Sequence, residues 1–260
     1  MGEVSYRPLI EDMTWSYSRV GCFKDCRYRF YLKYIDKCKS VPMFYSSFGS
    51  FIHKLLEKYY KGELTQSQLV SEYLLNFQSE VKGDRPSEKA ATDYFNQGLD
   101  YFKNFTPFDM ETLGVEKRLK FEINGIPVVG IADYIGEKDS KLYLIDNKSR
   151  ALKPRSRRKT PTQNDLTIDE MLKQLYLYSY GIKEEYGRFP DKLCFNCFRT
   201  QTFIEENFNP DTYKSVITGF EKEIERIKNV SDFFPYIDWF PCNFICDVSH
   251  ECCYFDRGKR

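Results

Sequence analysis

Histidine is almost missing from this chain. Two stand among 260 residues that include 20 Tyr and 22 Phe, so each histidine merits scrutiny as a chemical group. Long apolar runs are missing too: none approaches the ~18 residues that a membrane span needs, and no membrane partner is expected. The opening stretch MGEVSYRPLIEDM lacks a basic start followed by an apolar segment, so no secretory leader is expected. Charge of one sign is also lacking. Lys and Arg number 39 against 38 Asp and Glu, a net of +1, which excludes a strongly basic coat for nucleic acid but not a local basic groove. With 42% hydrophobic and 30% charged residues, the composition is that of a globular chain able to bury a real core.

Cysteine, by contrast, is plentiful. Nine is an odd number, and with no leader a reducing, cytoplasmic setting is expected, which weakens a disulfide framework. Thiolates holding a metal or a cluster are the stronger reading. Cys22, Cys26 and Cys38 lie near the start, Cys194 and Cys197 late, and Cys242, Cys246, Cys252 and Cys253 at the end. Three thiolates in the tail need a fourth, which Cys26 or Cys22 could supply from the first helix, one turn apart and on one face. Cys194 and Cys197 fall in the strand-like LCFNCFR, where an offset of three points side chains to opposite faces, and read as packed thiols.

The hydrophobic pattern predicts a helix from Ser16 or Ser18 through the stretch SYSRVGCFKDCRYRFYLKYID, then helices near 47–61, 66–81 and 87–104. After Phe105 the period changes to two. Asn124-Gly125 between alternating runs signals a hairpin, followed by a third strand, LYLIDNKS, and a basic loop. A helix over 166–187, a strand over 192–206, a helix over 211–229 and an irregular cysteine-rich tail complete the chain. The expected fold class is α/β, a mixed central sheet flanked by helices. It is expected as one domain, 1–260, with a helical part (1–105), a core (106–230) and a tail (231–260).

Asp146 and Lys148 end the third strand and point to one side of it. Asp133 lies in the apolar run GIADYIG, where a lone buried carboxylate is expensive and needs a partner or a metal. A neighbouring strand can bring Asp133 beside Asp146 and make a hard oxygen site suited to Mg²⁺ or Mn²⁺. Glu116 could add a third carboxylate or be an exposed strand residue. His53 lies about 120° from the apolar stripe of its helix, at about 100° per residue. Gln174 and Tyr178 share one face of the 166–187 helix, off its apolar stripe. The loop 149–164 carries Arg150, Lys153, Arg155, Arg157, Arg158 and Lys159 with no acid, a composition suited to a phosphate backbone or to a solvated loop.

In this order, these segments resemble the PD-(D/E)xK nuclease superfamily. The likeness is to its RecB-like branch, with the CRISPR-associated iron–sulfur exonucleases and AddAB-type nuclease domains. SYSRVGCFKDCRYRFYLKYI, GSFIHKLLE, GVEKRLKFEINGIPVVGIADYIG, LYLIDNKS, QLYLYSYGI and the cysteine tail carry the resemblance. It implies a restriction-endonuclease-like core and a metal-dependent deoxyribonuclease, an exonuclease preferring single strands or DNA ends. His53, Asp133, Asp146 and the Asn147 carbonyl would hold Mg²⁺ or Mn²⁺. Asp133, Asp146, Lys148 and Glu116 would form the catalytic set. Gln174 and Tyr178 would match a DNA-contacting Q-x3-Y motif, with Arg155, Arg157, Arg158 and Lys159 beside them. Cys26, Cys242, Cys246 and Cys252 would hold a 4Fe-4S cluster, with zinc as the alternative metal and Cys22 and Cys253 as rival ligands.

The resemblance also implies a setting in DNA repair, recombination, phage DNA processing or CRISPR adaptation, in a bacterial, archaeal or phage-infected cell. A helicase or Cas-type partner would be another chain, because no G-x4-G-K-[ST] motif is present. Two departures stand out: three residues, not two, separate Cys242 from Cys246, and Asp-Asn-Lys-Ser-Arg replaces Asp-Tyr-Lys-Thr-Gly. The rival readings are a non-catalytic DNA-binding subunit of the same fold and a structural-zinc protein.

Overall fold

The computed structural model describes residues 6–256. A five-stranded sheet, ordered β1-β2-β3-β4-β5, forms its centre. The strands are β1 (Glu111–Ile123), β2 (Ile126–Lys138), β3 (Lys141–Lys148), β4 (Lys192–Cys197) and β5 (Thr202–Asn207). All neighbours are antiparallel except β3 and β4, which run parallel. A parallel pair needs a crossover, supplied by α7 (Gln163–Tyr186). The β1–β2 turn has Asn124 and Gly125 at φ +48° and +80°, the two left-handed residues that a tight primed turn requires.

Helices cover both faces, as expected for a mixed sheet flanked by helices. The larger core packs Leu119, Phe121, Leu144 and Phe195 against α7 residues Leu172 and Leu175 and against Phe220 and Ile224 of α8 (Pro210–Lys228). Ile10 of α1 (Arg7–Ile10), with Trp15, Phe23 and Phe30 from the N-terminal region, joins that same core. A second cluster unites α4 (Phe44–Tyr60), α5 (Gln66–Glu80) and α6 (Glu88–Lys103) around Phe48, Phe51 and Tyr73. Tyr60, at the end of α4, carries that layer onto the opposite sheet face, 4.6 Å from the Tyr134 ring. Among the described residues, no helix is long and apolar enough to cross a membrane.

The structure corrects three boundaries. The expected strand over 192–206 is two antiparallel strands joined by a tight turn, in which Gln201 takes φ +50°. With no glycine or proline there, the turn leaves no composition signal. The first helix is not continuous. It splits into α2 (Tyr17–Asp25) and α3 (Arg27–Phe30), with Cys26 extended between them at φ −161°. Cys22 and Cys26 therefore do not share one helical face. The tail is also less irregular than expected: α9 (Trp239–Phe244) starts on an Asp238 cap. Asp247 then ties the tail to the N-terminal region through Arg29, at 2.8 Å, and Lys33.

Candidate metal centre and its cleft

The strand pairing of β2 and β3 reaches only as far as Tyr134 and Ile145. One residue further, the strands part and a cleft of about 730 Å³ opens over Asp133 and Asp146. The backbone N–H of Asn147 donates to Asp133 Oδ2 at 2.7 Å, which fixes that carboxylate at the strand ends. Asp146 Oδ2 lies 2.7 Å from Lys148 Nζ, yet it is buried without a properly aligned hydrogen bond. A buried carboxylate oxygen that meets an ammonium but takes no aligned hydrogen bond suits a cation.

His53, on α4, reaches into the cleft from the opposite wall. Its Nδ1 lies 3.4 Å from Asp133 Oδ2 and 3.5 Å from Glu116 Oε1. Its Nε2 is 2.9 Å from the Asn147 carbonyl, to which it must donate. Burial pulls the imidazole pKa down, but the Glu116 hydrogen bond and the charges of Asp133 and Asp146 outweigh it and raise it to about 9. Without a metal, His53 is thus a cation standing among carboxylates. Burial and the nearby Asp146 push Asp133 up to about 7, against the opposing pull of His53 and the Asn147 N–H. Glu116 adopts φ +48°, a left-handed conformation that costs a glutamate about 1–3 kcal/mol. The β1–β2 register, Val115 opposite Tyr134 and Lys117 opposite Ala132, sets Glu116 across from Asp133, and the donor atoms of His53, Glu116 and Asp133 all lie within 4.8 Å of one another. Carboxylates, one imidazole and a strand-end carbonyl can hold a divalent ion.

Gln174 and Tyr178 turn inward from α7. Gln174 Oε1 accepts from Lys148 Nζ at 2.9 Å, while its Nε2 donates to Asp146 at 3.3 Å and to the Tyr178 hydroxyl at 3.2 Å. The glutamine thus fixes the lysine and one carboxylate relative to each other. Tyr178 is buried rather than presented to solvent. Its ring lies so close to Gly130 that a Cβ there would come within 2.5 Å of it.

Other residues that the sequence reading missed brace the site from beneath. Asn147 pairs with Asn196 across β3 and β4. Asn196 Nδ2 donates to Asn147 Oδ1 and to the Tyr101 hydroxyl, both at 2.8 Å. A buried asparagine in the apolar run LCFNCF was the available signal. Arg199 lies over the Tyr94 ring at 3.7 Å and donates to the carbonyl of Ser149, the residue after Lys148.

The basic loop is placed differently. Arg155 is held by Asp169 at 2.6 Å and by Glu206, so its charge is already paired. Arg157, Arg158 and Lys159 are exposed. Of this loop, the cleft wall takes only Ser149.

All nine cysteines are unbridged. Cys26, Cys242 and Cys246 line one cavity of about 260 Å³. Cys252 is near enough to Cys26 and Cys242 that, after burial, they raise its thiol pKa further. Cys26 Sγ accepts the backbone N–H groups of Arg29 and Tyr236, both at 3.4 Å. Cys22 is packed in the larger core, and Cys253 Sγ sits 3.3 Å from the Tyr28 hydroxyl. Cys194 and Cys197 pack into different clusters on opposite sheet faces, in line with their strand offset.

A family model of the PD-(D/E)XK nuclease superfamily matches residues 14–253. Among solved structures, the chain is similar to a "Putative exonuclease" from Eubacterium rectale, with a TM-score of 0.51 over 95% of this chain and 97% of that one. Identity between the two is 11%, so the likeness bears on the fold alone. No curated protein sequence matches this chain.

Proposed function

Because this chain belongs to the PD-(D/E)XK nuclease superfamily, we propose that it is a Mg²⁺- or Mn²⁺-dependent deoxyribonuclease, acting as an exonuclease on single strands or DNA ends. The convergence of Asp133, Asp146, Lys148 and His53 where β2 and β3 part carries this reading. Asp133, Asp146, Glu116, His53 and the Asn147 carbonyl would hold the metal, which supplies Lewis acidity toward the phosphate and a more acidic bound water. His53 would hold the ion as a neutral imidazole through Nδ1, the nitrogen that faces Asp133 and Glu116, while its Nε2–H goes on donating to the Asn147 carbonyl. Lys148 keeps its ammonium at the cleft through Asp146 and Gln174, where it can stabilise charge developing on the phosphate. Gln174 and Tyr178 act here by holding that geometry.

The four thiols Cys26, Cys242, Cys246 and Cys252 would hold a structural 4Fe-4S cluster that fastens the tail to the N-terminal region. Cys26, Cys242 and Cys246 around one cavity of about 260 Å³, with Cys252 beside them, support a shared metal or cluster. End-labelled single strands and duplexes incubated with Mg²⁺, Mn²⁺ or EDTA test the nuclease reading. Metal-dependent shortening from an end is the expected result, and equal cutting in EDTA is the contrary one. Iron and zinc assays with a visible spectrum, after anaerobic purification, test the cluster.

A further inference from the structure

The tail exposes a run of rings that is unusual for solvent-facing surface: Phe234 is 70% exposed, Tyr236 63%, Trp239 42% and Phe240 39%. This run leads into the cleft. The Trp239 and Phe240 rings both contact Phe244, at 5.5 and 5.4 Å, and Phe240 lies 6.0 Å from Tyr45. Tyr45 is itself part of the cleft wall that holds His53 and Lys148. An aromatic chain, Tyr45–Phe240–Phe244–Trp239, therefore runs from the cleft wall onto the cysteine tail.

We infer that Tyr45, Phe240 and Trp239 form a stacking platform for the unpaired bases of a single strand whose phosphates enter the cleft, an inference that rests on the nucleic-acid reading above. The rim is mainly aromatic, and every base offers a π-face, so such a surface holds a strand without selecting its sequence. The polar part of the recognition is on the same path, in the cleft itself: carboxylates that can hold a cation, and Lys148 beside them. Bases stacked inside a duplex cannot lie flat on these rings, so the platform supplies a reason for single-strand preference in the side chains of this chain.

The test is the binding of a fluorescein-labelled oligothymidylate, followed by anisotropy on anaerobically purified protein without added divalent metal. Replacing one stacking ring is expected to weaken binding roughly five- to a hundred-fold, so Phe240→Ala should show a loss in that range. Phe240→Leu, which keeps apolar volume but removes the π-face, should lose affinity too, whereas Phe240→Tyr should bind close to the parent. Affinity for a blunt duplex should not follow the ring. Single-strand binding unchanged in both Phe240→Ala and Phe240→Leu overturns the platform. A shift in self-association without a change in DNA affinity also overturns it and assigns the rim to protein contact. Cleavage by the parent in Mn²⁺ is scored separately. Ring-dependent binding without any cutting removes the nuclease reading and keeps the platform; cutting without ring-dependent binding does the reverse.

Discussion

The cleft and the cysteine pocket both gather ligand atoms from distant parts of the chain, but they hold them in different ways. In the cleft, protein groups fix each donor directly. Asp133 takes the Asn147 N–H, Gln174 spans Asp146 and Lys148, and Asn196 and Tyr101 anchor Asn147 from below. These residues lie on strands and long helices within two buried cores. In the cysteine pocket, Cys26 sits at a break between short helices, and the tail is tied to that region by Asp247 with Arg29 and Lys33, by Asp232 with Arg27, and by Phe233 packed against Phe23 and Phe30. On the proposed reading, a metal in the first place would serve chemistry, and a cluster in the second would serve the scaffold itself.

This contrast is broken most severely by Asp146→Asn or Asp133→Asn. Losing one preorganised electrostatic group commonly costs about 10²–10³-fold in rate, and each variant should lose at least that much cleavage. Melting should be little changed, and Asp133→Asn can even stabilise the metal-free protein by relieving repulsion from Asp146. An end-labelled cleavage assay beside a melting curve shows both. Cys26→Ser should do the opposite kind of damage. Iron should be lost, and Tm should fall by more than about 2 °C, the shift that 1 kcal/mol produces in a chain of this size. Cys22→Ser should keep its iron, because that thiol is packed in the core.

The pH response of the metal-free protein sharpens the same comparison. His53 is raised to about 9 from an ordinary 6.5, and Asp133 to about 7 from 3.8. Both groups bind protons more tightly in the folded state, so the stability they contribute is present at low pH and is lost as pH rises. For Asp133 the loss runs from pH 3.8 toward 7, and for His53 from 6.5 toward 9. The Tm of metal-free protein should therefore fall between pH 6.5 and 9, and saturating Mn²⁺ should reduce the slope. A melting series with and without Mn²⁺ checks the sign.

Smaller effects belong to the bracing residues. Outer-shell partners of a metal site are worth about 10–100-fold in affinity or activity. Asn196→Leu should raise the Mn²⁺ concentration needed for half-maximal cleavage within that range, and Gln174→Ala should lower turnover by a similar factor. Titration of cleavage rate against Mn²⁺ separates the two. The smallest effect is expected from the basic loop. Neutralising Arg157, Arg158 and Lys159 should flatten the salt dependence of single-strand binding by ~0.7 for each phosphate that the loop neutralises. An unchanged slope would place those side chains off the strand. Arg155→Ala should instead change Tm slightly, since a surface pair is worth at most about 1 kcal/mol and Arg155 is held by Asp169 and Glu206.

Much of the cleft was legible before any coordinates. A carboxylate inside the apolar run GIADYIG, an Asp-x-Lys at a strand end and a histidine off its helix stripe each break a local pattern, and such breaks mark functional positions. The hairpin was legible because Asn-Gly demands one backbone geometry. The remainder depends on long-range pairing. Nothing local says that Asn196 will lie opposite Asn147, or that Gln174 will reach both Lys148 and Asp146. The break at Cys26 was hidden because the residues on either side continue a helical pattern. The Arg199–Gln201 turn was hidden because it uses neither glycine nor proline, and Arg155 was read as free because its acids lie on α7 and β5.

The central claim is that Asp133, with His53, Glu116 and Asp146, forms a divalent-metal site on a preformed scaffold. Calorimetric titration of Mn²⁺ into metal-free protein tests it most directly, run in two buffers of different ionisation heat so that released protons are counted. Binding with net proton release is expected at neutral pH, because His53 and Asp133 carry raised pKa values there, and no such binding in folded Asp133→Asn. The same heat and the same proton release from Asp133→Asn would contradict it.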